Sequence, residues 1–308
     1  MSRVVVLTGG VGGAKLVLGL IHAMPAQDIT AIVNTGDDFE HLGLAVSPDI
    51  DTLLYTLAGK ADRRQGWGRE GESWGFMAAL RELGGEDWFQ LGDGDLALHI
   101  LRTNALQHGE TLSTITSRFG RLWGLASTIL PMSDDPVRTM IDTDEGVLPF
   151  QHYFVARRCE PAVRAVRFEG AEAARPAPGV VEAIAQADAI LIAPSNPYLS
   201  IDPVLAVPGI REALADAAAT VVAVSPIVGG KAVKGPTAKL MAELGIAASA
   251  ASIARHYEGL LDGLIVDCRD GETVLPVAQA RCDTLMESLD DRIRVARAAL
   301  SLAEQLRR

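Results

Sequence analysis

A chain of 308 residues, 48% hydrophobic and 22% charged, is long enough for one large α/β domain or two modest ones with a well-buried core. The formal charge of -11 speaks against nucleic-acid binding, which needs clustered Lys and Arg, and no apolar run approaches bilayer-spanning length. Cys159, Cys268 and Cys282 lie far apart without a Cys-x-x-Cys pair, and no charged segment precedes a cleavable apolar stretch, so a cytoplasmic, reducing location is expected.

The β-branched run at 3–8 predicts a strand that enters the cluster Gly9-Gly-Val-Gly-Gly-Ala-Lys15, followed by apolar helical spacing at 16–21. Strand, glycine turn and helix start form half of a nucleotide-binding βαβ unit, in which the helix N–H groups can hold a phosphate. Neither common fingerprint fits. Walker A needs Gly-Lys before Ser or Thr, whereas Lys15 stands between Ala14 and Leu16, and a dinucleotide pattern begun at Gly10 meets Lys15 at its third glycine. A tight turn without a ligand is the alternative.

A second strand at 30–34 ends in Thr35-Gly-Asp-Asp38, with helical spacing at 51–57. From about 60 to 110 Gly, Trp and charge crowd the chain, with a loop-like stretch at 63–74 and a helical piece at 95–102. Runs at 152–156 and 163–168 alternate as a half-exposed antiparallel pair would. The β/α rhythm then resumes: an apolar strand at 189–193, a helix near 210–217, strands at 220–224 and 263–267, and a terminal helix at 290–306. The expected class is α/β, with a doubly wound, mainly parallel Rossmann-like sheet. Segments 1–59 and 175–308 form its nucleotide-binding core, and 60–174 is an inserted, mainly helical subdomain.

Four predicted strands end in polar or glycine-rich loops, after Thr8, Asn34, Ala193 and Val224. Ligands of open α/β sheets bind outside the carboxyl ends of the strands, so these loops should line one crevice. Asp37, Asp38, Asp49 and Asp51 would repel a phosphate unless a cation such as Mg²⁺ lay between them. Asp49 or Asp51 could instead cap the helix after Pro48, and Asp37 could be the ribose acid of a nicotinamide or flavin enzyme. Asn196, in Pro194-Ser-Asn-Pro197, suits a base edge or a phosphate, or marks a plain turn. Lys231 and Lys234 sit in a glycine loop that suits an anion. The six histidines form no metal-spaced pair, and neither Gly-x-Ser-x-Gly nor His-Glu-x-x-His occurs.

With these loops in view, the chain resembles the CofD family of 2-phospho-L-lactate transferases of coenzyme F420 biosynthesis. The stretches that carry the resemblance are Thr8-Gly-Gly-Val-Gly-Gly-Ala-Lys15, Asn34-Thr-Gly-Asp-Asp38, Ser47-Pro-Asp-Ile-Asp-Thr-Leu-Leu-Tyr55, Gly66-Trp-Gly68, Leu91-Gly-Asp-Gly-Asp-Leu-Ala97, Ile129-Leu-Pro-Met-Ser-Asp-Asp-Pro-Val137, Ala193-Pro-Ser-Asn-Pro197 and Ser225-Pro-Ile-Val-Gly-Gly-Lys231. Each alone is weak, and the ordered set is specific.

The resemblance implies an Mg²⁺-dependent phosphotransferase. A guanosine diphosphate ester of lactate or enolpyruvate gives its acid-bearing phosphoryl group to the terminal ribityl hydroxyl of the deazaflavin Fo, and GMP leaves. Gly10, Gly12 and Gly13 would cradle the diphosphate, and Ser195, Asn196 and Pro197 would bind the nucleotide. Asp37, Asp38, Asp49 and Asp51 would hold the metal, with Asp37, Asp38 and Lys15 as the catalytic groups. Lys231 or Lys234 would offset leaving-group charge. Trp67, Asp93 and the segments around them, with 132–135, are candidates for the deazaflavin wall. A homodimer is also implied. The gluconeogenesis-factor relatives, which bind nucleotide sugars without catalysis, supply the alternative.

Overall fold

The structure is a computed structural model that describes residues 3–62, 67–232 and 235–307; Gly66 and Lys234 lie outside the described residues. Seven strands make the central sheet: β1 (Val4–Thr8), β2 (Ile29–Val33), β3 (Thr128–Pro131), β4 (Ala189–Ile192), β5 (Thr220–Val224), β6 (Gly263–Asp267) and β7 (Ala278–Cys282). Their spatial order is β7-β6-β5-β4-β1-β2-β3, and every neighbouring pair is parallel. Alternate residues of β1 enter different cores. Val4 and Val6 join α1 (Gly10–Ala23), α2 (Pro48–Leu57) and the C-terminal helix (Leu289–Gln305), while Val5 and Leu7 pack with Val180, Ile184, Ile210 and Leu214 on the other face. Burial on both faces is why the strands read as continuous apolar runs. The expected doubly wound sheet is present.

Among its described residues the segment 60–174 holds three α-helices, α3 (Gly75–Glu82), α4 (Asp93–Gln107) and α5 (Leu112–Leu122), and a small antiparallel sheet. It also supplies β3, the edge of the central sheet, which pairs with β2 from Thr30↔Thr128 to Val33↔Pro131. The expected strand at 152–156 is not formed: His152–Ala156 is a wide helical turn closed by Arg157 N–H on the His152 carbonyl. Val163–Glu169 is a strand, but Arg138–Thr143 is its partner, with Gly146–Pro149 on the far side. Aromatic and β-branched residues at 152–156 mimic strand composition, yet the helical spacing of Phe150 and Phe154 stacks their rings 5.4 Å apart. Among the described residues no helix is long and apolar enough to cross a membrane.

Candidate active site

Chain order reverses between β1 and β4, which lie side by side from Val4↔Ala189 to Leu7↔Ile192. A crevice opens at such a switch point because the chain leaves the two strands in opposite directions. α1 starts there. Gly10 adopts φ +63°, a left-handed conformation that favours glycine. A Cβ at Gly12 would lie 2.6 Å from the Pro194 carbonyl oxygen, and one at Gly13 would collide with the Thr8 hydroxyl. These two glycines therefore let the helix sit against the β4 loop. The Ser195 hydroxyl fastens the contact, accepting from Gly9 N–H at 3.3 Å and donating to Gly9 O at 2.7 Å.

β5, β4, β1 and β2 are consecutive in the sheet, so their terminal loops share one cleft of about 490 Å³. Gly10, Gly12, Lys15, Asp37, Asp49, Asp51, Trp67, Ser195 and Asn196 all line it. Asn196 uses its carbonyl to cap the turn Pro197–Ile201, accepting from Tyr198 and Leu199 N–H at 3.0 and 3.2 Å. Its amide nitrogen is buried without a partner, a donor left over in a cleft wall. Pro197 begins that turn and, like Gly13, does not itself line the cleft. The Lys15 ammonium donates to the Met286 carbonyl at 2.6 Å, which ties α1 to the loop after β7.

The acidic residues divide by their partners. Asp49, at the start of α2, accepts from Asn34 Nδ2 at 2.9 Å and from the Gly10 N–H. Burial still pushes its carboxyl up to about 6. Asp37 is held well above the usual carboxylate range, by burial first and then by the Asp49 charge. Asp38 is pushed up to about 7 by burial, against the Ser47 hydroxyl that donates to it at 2.7 Å and the positive charges of Arg138 and Arg102. One oxygen each of Asp37 and Asp38 is buried without a hydrogen-bond partner. Asp51 differs: Arg102 bridges both of its oxygens, one at 3.1 Å.

Desolvated carboxylates with vacant lone pairs fit a hard dication, which supplies the missing charge and takes oxygen ligands. No group of three or more His, Cys, Asp or Glu among the described residues stands together as a metal site.

The remaining expectations scatter. Lys231 is exposed in the short hairpin after β5 and is not in the cleft wall; Pro226, Gly235, Pro236 and Thr237 are. Asp93 stands off the cleft and accepts from Ser73 Oγ, Gly75 N–H and Phe76 N–H, fastening the start of α3. In 132–135, Met132 is core, Asp134 accepts from Ser113, and Asp135 accepts from Arg175 N–H. Trp67 lines the cleft at 49% exposure. The wall beside it comes from Tyr55, Phe89, Phe150 and Phe154, which motif reading missed. Asp95 also lines it and accepts from the Tyr55 hydroxyl. The Phe150–Phe154 spacing was the available signal.

The fold and its switch-point crevice define a doubly wound α/β protein, a class whose ligands bind at the carboxyl ends of the strands. The chain belongs to the CofD family: the model described as "2-phospho-L-lactate transferase CofD" matches residues 4–298. It is 46% identical to a protein of Streptomyces coelicolor named phosphoenolpyruvate transferase, over 99% of each chain. It is 40% identical to a Methanosarcina mazei protein named 2-phospho-L-lactate transferase, over 93% of this chain and 95% of that one. A solved structure of a UPF0052 protein from Bacillus halodurans shares the fold, with a TM-score of 0.63 at 19% identity over 97% of this chain and 100% of that one. Membership bears out the resemblance carried by the motifs and makes this a transferase family of coenzyme F420 biosynthesis.

Proposed function

We propose that the chain transfers the enolpyruvyl-bearing phosphoryl group of a guanosine diphosphate ester to the terminal ribityl hydroxyl of Fo and releases GMP. The observation that carries this reading is Asp37, buried in the cleft with one carboxyl oxygen unpartnered, beside Asp49, which accepts the Gly10 N–H at the start of α1. The names of the Streptomyces relatives support enolpyruvate over lactate as the acid carried. In this reading the N–H groups that follow Gly10 at the start of α1 receive the diphosphate and Asn196 donates to the nucleotide. Asp37 and Asp49 would hold Mg²⁺, which would neutralise charge on the phosphoryl oxygens. The aromatic wall of Tyr55, Phe89, Phe150 and Phe154 takes the deazaflavin ring with Trp67. The ribityl oxygen forms the new P–O bond, the bridging P–O bond to GMP breaks, and the hydroxyl proton leaves through the cleft carboxylates. Phosphoryl transfer asks for positioning and charge neutralisation above all, and the cleft offers both. A cytoplasmic homodimer completes the proposal; the three cysteines are free thiols, as a reducing compartment keeps them.

The test supplies the enolpyruvyl ester of GDP and Fo together and follows GMP by chromatography. GMP release that needs both substrates and stops on chelation supports the reading. Folded protein that binds GDP yet releases no GMP overturns it. Preference for a UDP-sugar over GDP would point to the non-catalytic alternative.

A further inference from the structure

Arg102, on α4, is the most deeply buried cation in the acidic region, with 1% of its surface exposed. Its guanidinium reaches both oxygens of Asp51, the Ala45 carbonyl at 3.3 Å and His99 Nδ1 at 3.3 Å. Its charge also acts on Asp38. Asp37 and Asp49 receive no such bond: Asp49 is held by neutral donors, and one oxygen of Asp37 has no partner. A buried guanidinium that forks onto a carboxylate offsets its charge and occupies one lone pair on each oxygen, and the Ser47 N–H takes a further one, so Asp51 has less need of a metal than its neighbours.

We infer that Arg102 is a built-in cation that divides the acidic cluster. It keeps Asp51 as a strut between α2 and α4 and reserves Asp37 and Asp49 for a single divalent ion. The inference rests on the proposed metal-assisted reading and deepens it, because it assigns Arg102 as a positioning residue and removes Asp51 from the ligand set. Replacing the buried pair by neutral groups should be tolerated, whereas removing one partner strands a buried charge.

The experiment counts Mn²⁺, which takes the same oxygen ligands, by the paramagnetic resonance of the free ion, using the full chain at pH 8. Wild type is expected to bind one ion. Arg102→Met is expected to bind a second, because Asp51 is released, and Arg102→Lys to return to one. The double variant Asp51→Asn/Arg102→Met should bind one ion with affinity within about threefold of wild type. Two ions on wild type overturn the inference. So does a loss of about tenfold or more in the folded double variant, which would make Asp51 a ligand. If Arg102→Met does not fold, wild type and the double variant decide. No ion bound to wild type overturns both the inference and the metal assignment. One ion bound without GMP release leaves Arg102 assigned and sinks the transfer reaction alone.

Discussion

Two acidic sites lie at the carboxyl ends of parallel strands, and they are opposites. Asp267, the last residue of β6, is completely buried, yet its carboxyl lies below the usual range. Burial alone would raise it, but N–H groups of Thr284 and Arg269 donate at 2.8 Å each, the Thr284 hydroxyl at 2.9 Å, and the Arg269 guanidinium at 3.1 Å. Beyond β2, Asp37 and Asp38 are about as hidden, but each keeps an unpartnered oxygen and a raised pKa. A carboxylate with every lone pair occupied shapes a loop, here the Thr284–Met286 wall that receives Lys15. One left short of partners is stabilised by whatever brings positive charge.

The largest expected effect is at the unsatisfied site. Asp37→Asn should lower kcat by about 10³-fold, several kcal/mol of lost charge stabilisation, while Tm holds or rises because an uncompensated buried charge is gone. Turnover within tenfold of wild type would remove Asp37 from the machinery. Asp267→Asn should behave in reverse. The buried Thr284 donors lose a charged acceptor, which costs about 1–3 kcal/mol, read as a lower denaturation midpoint, with Mn²⁺ binding retained. A variant as stable as wild type would erase the contrast.

Gly12→Ala should destabilise by about 1–3 kcal/mol, because its methyl meets the Pro194 carbonyl, and should weaken GDP binding together with stability. Unchanged GDP affinity would separate that glycine from the ligand. The two sites also titrate in opposite senses. Asp38 and Asp49 have folded values of about 7 and about 6 against an ordinary 3.8, so between pH 4 and 7 the folded state binds the extra protons. Their contribution therefore falls as pH rises through that window, and Mg²⁺ should raise Tm more at pH 8 than at pH 5. Asp267, with a lowered value, contributes above its unfolded pKa and loses that contribution in acid. Equal Mg²⁺ shifts at both pH values would argue against carboxylate binding. Asp93→Ala should do least, giving a small drop in Tm from the frayed start of α3 and no change in GDP affinity. A clear loss of GDP or Fo binding would return Asp93 to the site.

The local features were legible in the sequence because their causes are local. β-branched runs define β1, β2, β4, β5 and β6. The glycine cluster announces a strand-to-helix turn, and Asp37, Asp38 and Asp49 stand in short motifs beside it. Parallel strands with short polar loops are enough to bring those motifs to one end of a sheet. Tertiary structure decided what those motifs touch. β3 is a four-residue strand whose identity comes from the edge of β2, and 152–156 curls into a helical turn because Phe150 and Phe154 stack across it. Asp93 became a fastening for α3 and Asp95 a cleft residue two positions on, since a helical start turns successive side chains to different faces. Arg102 is 51 residues from Asp51 in sequence, and only the tertiary placement of α4 against the 44–46 strand makes them a pair. Charge and residue type are written along the chain; which carboxylate is neutralised and which is left wanting a cation depends on partners that only folding supplies.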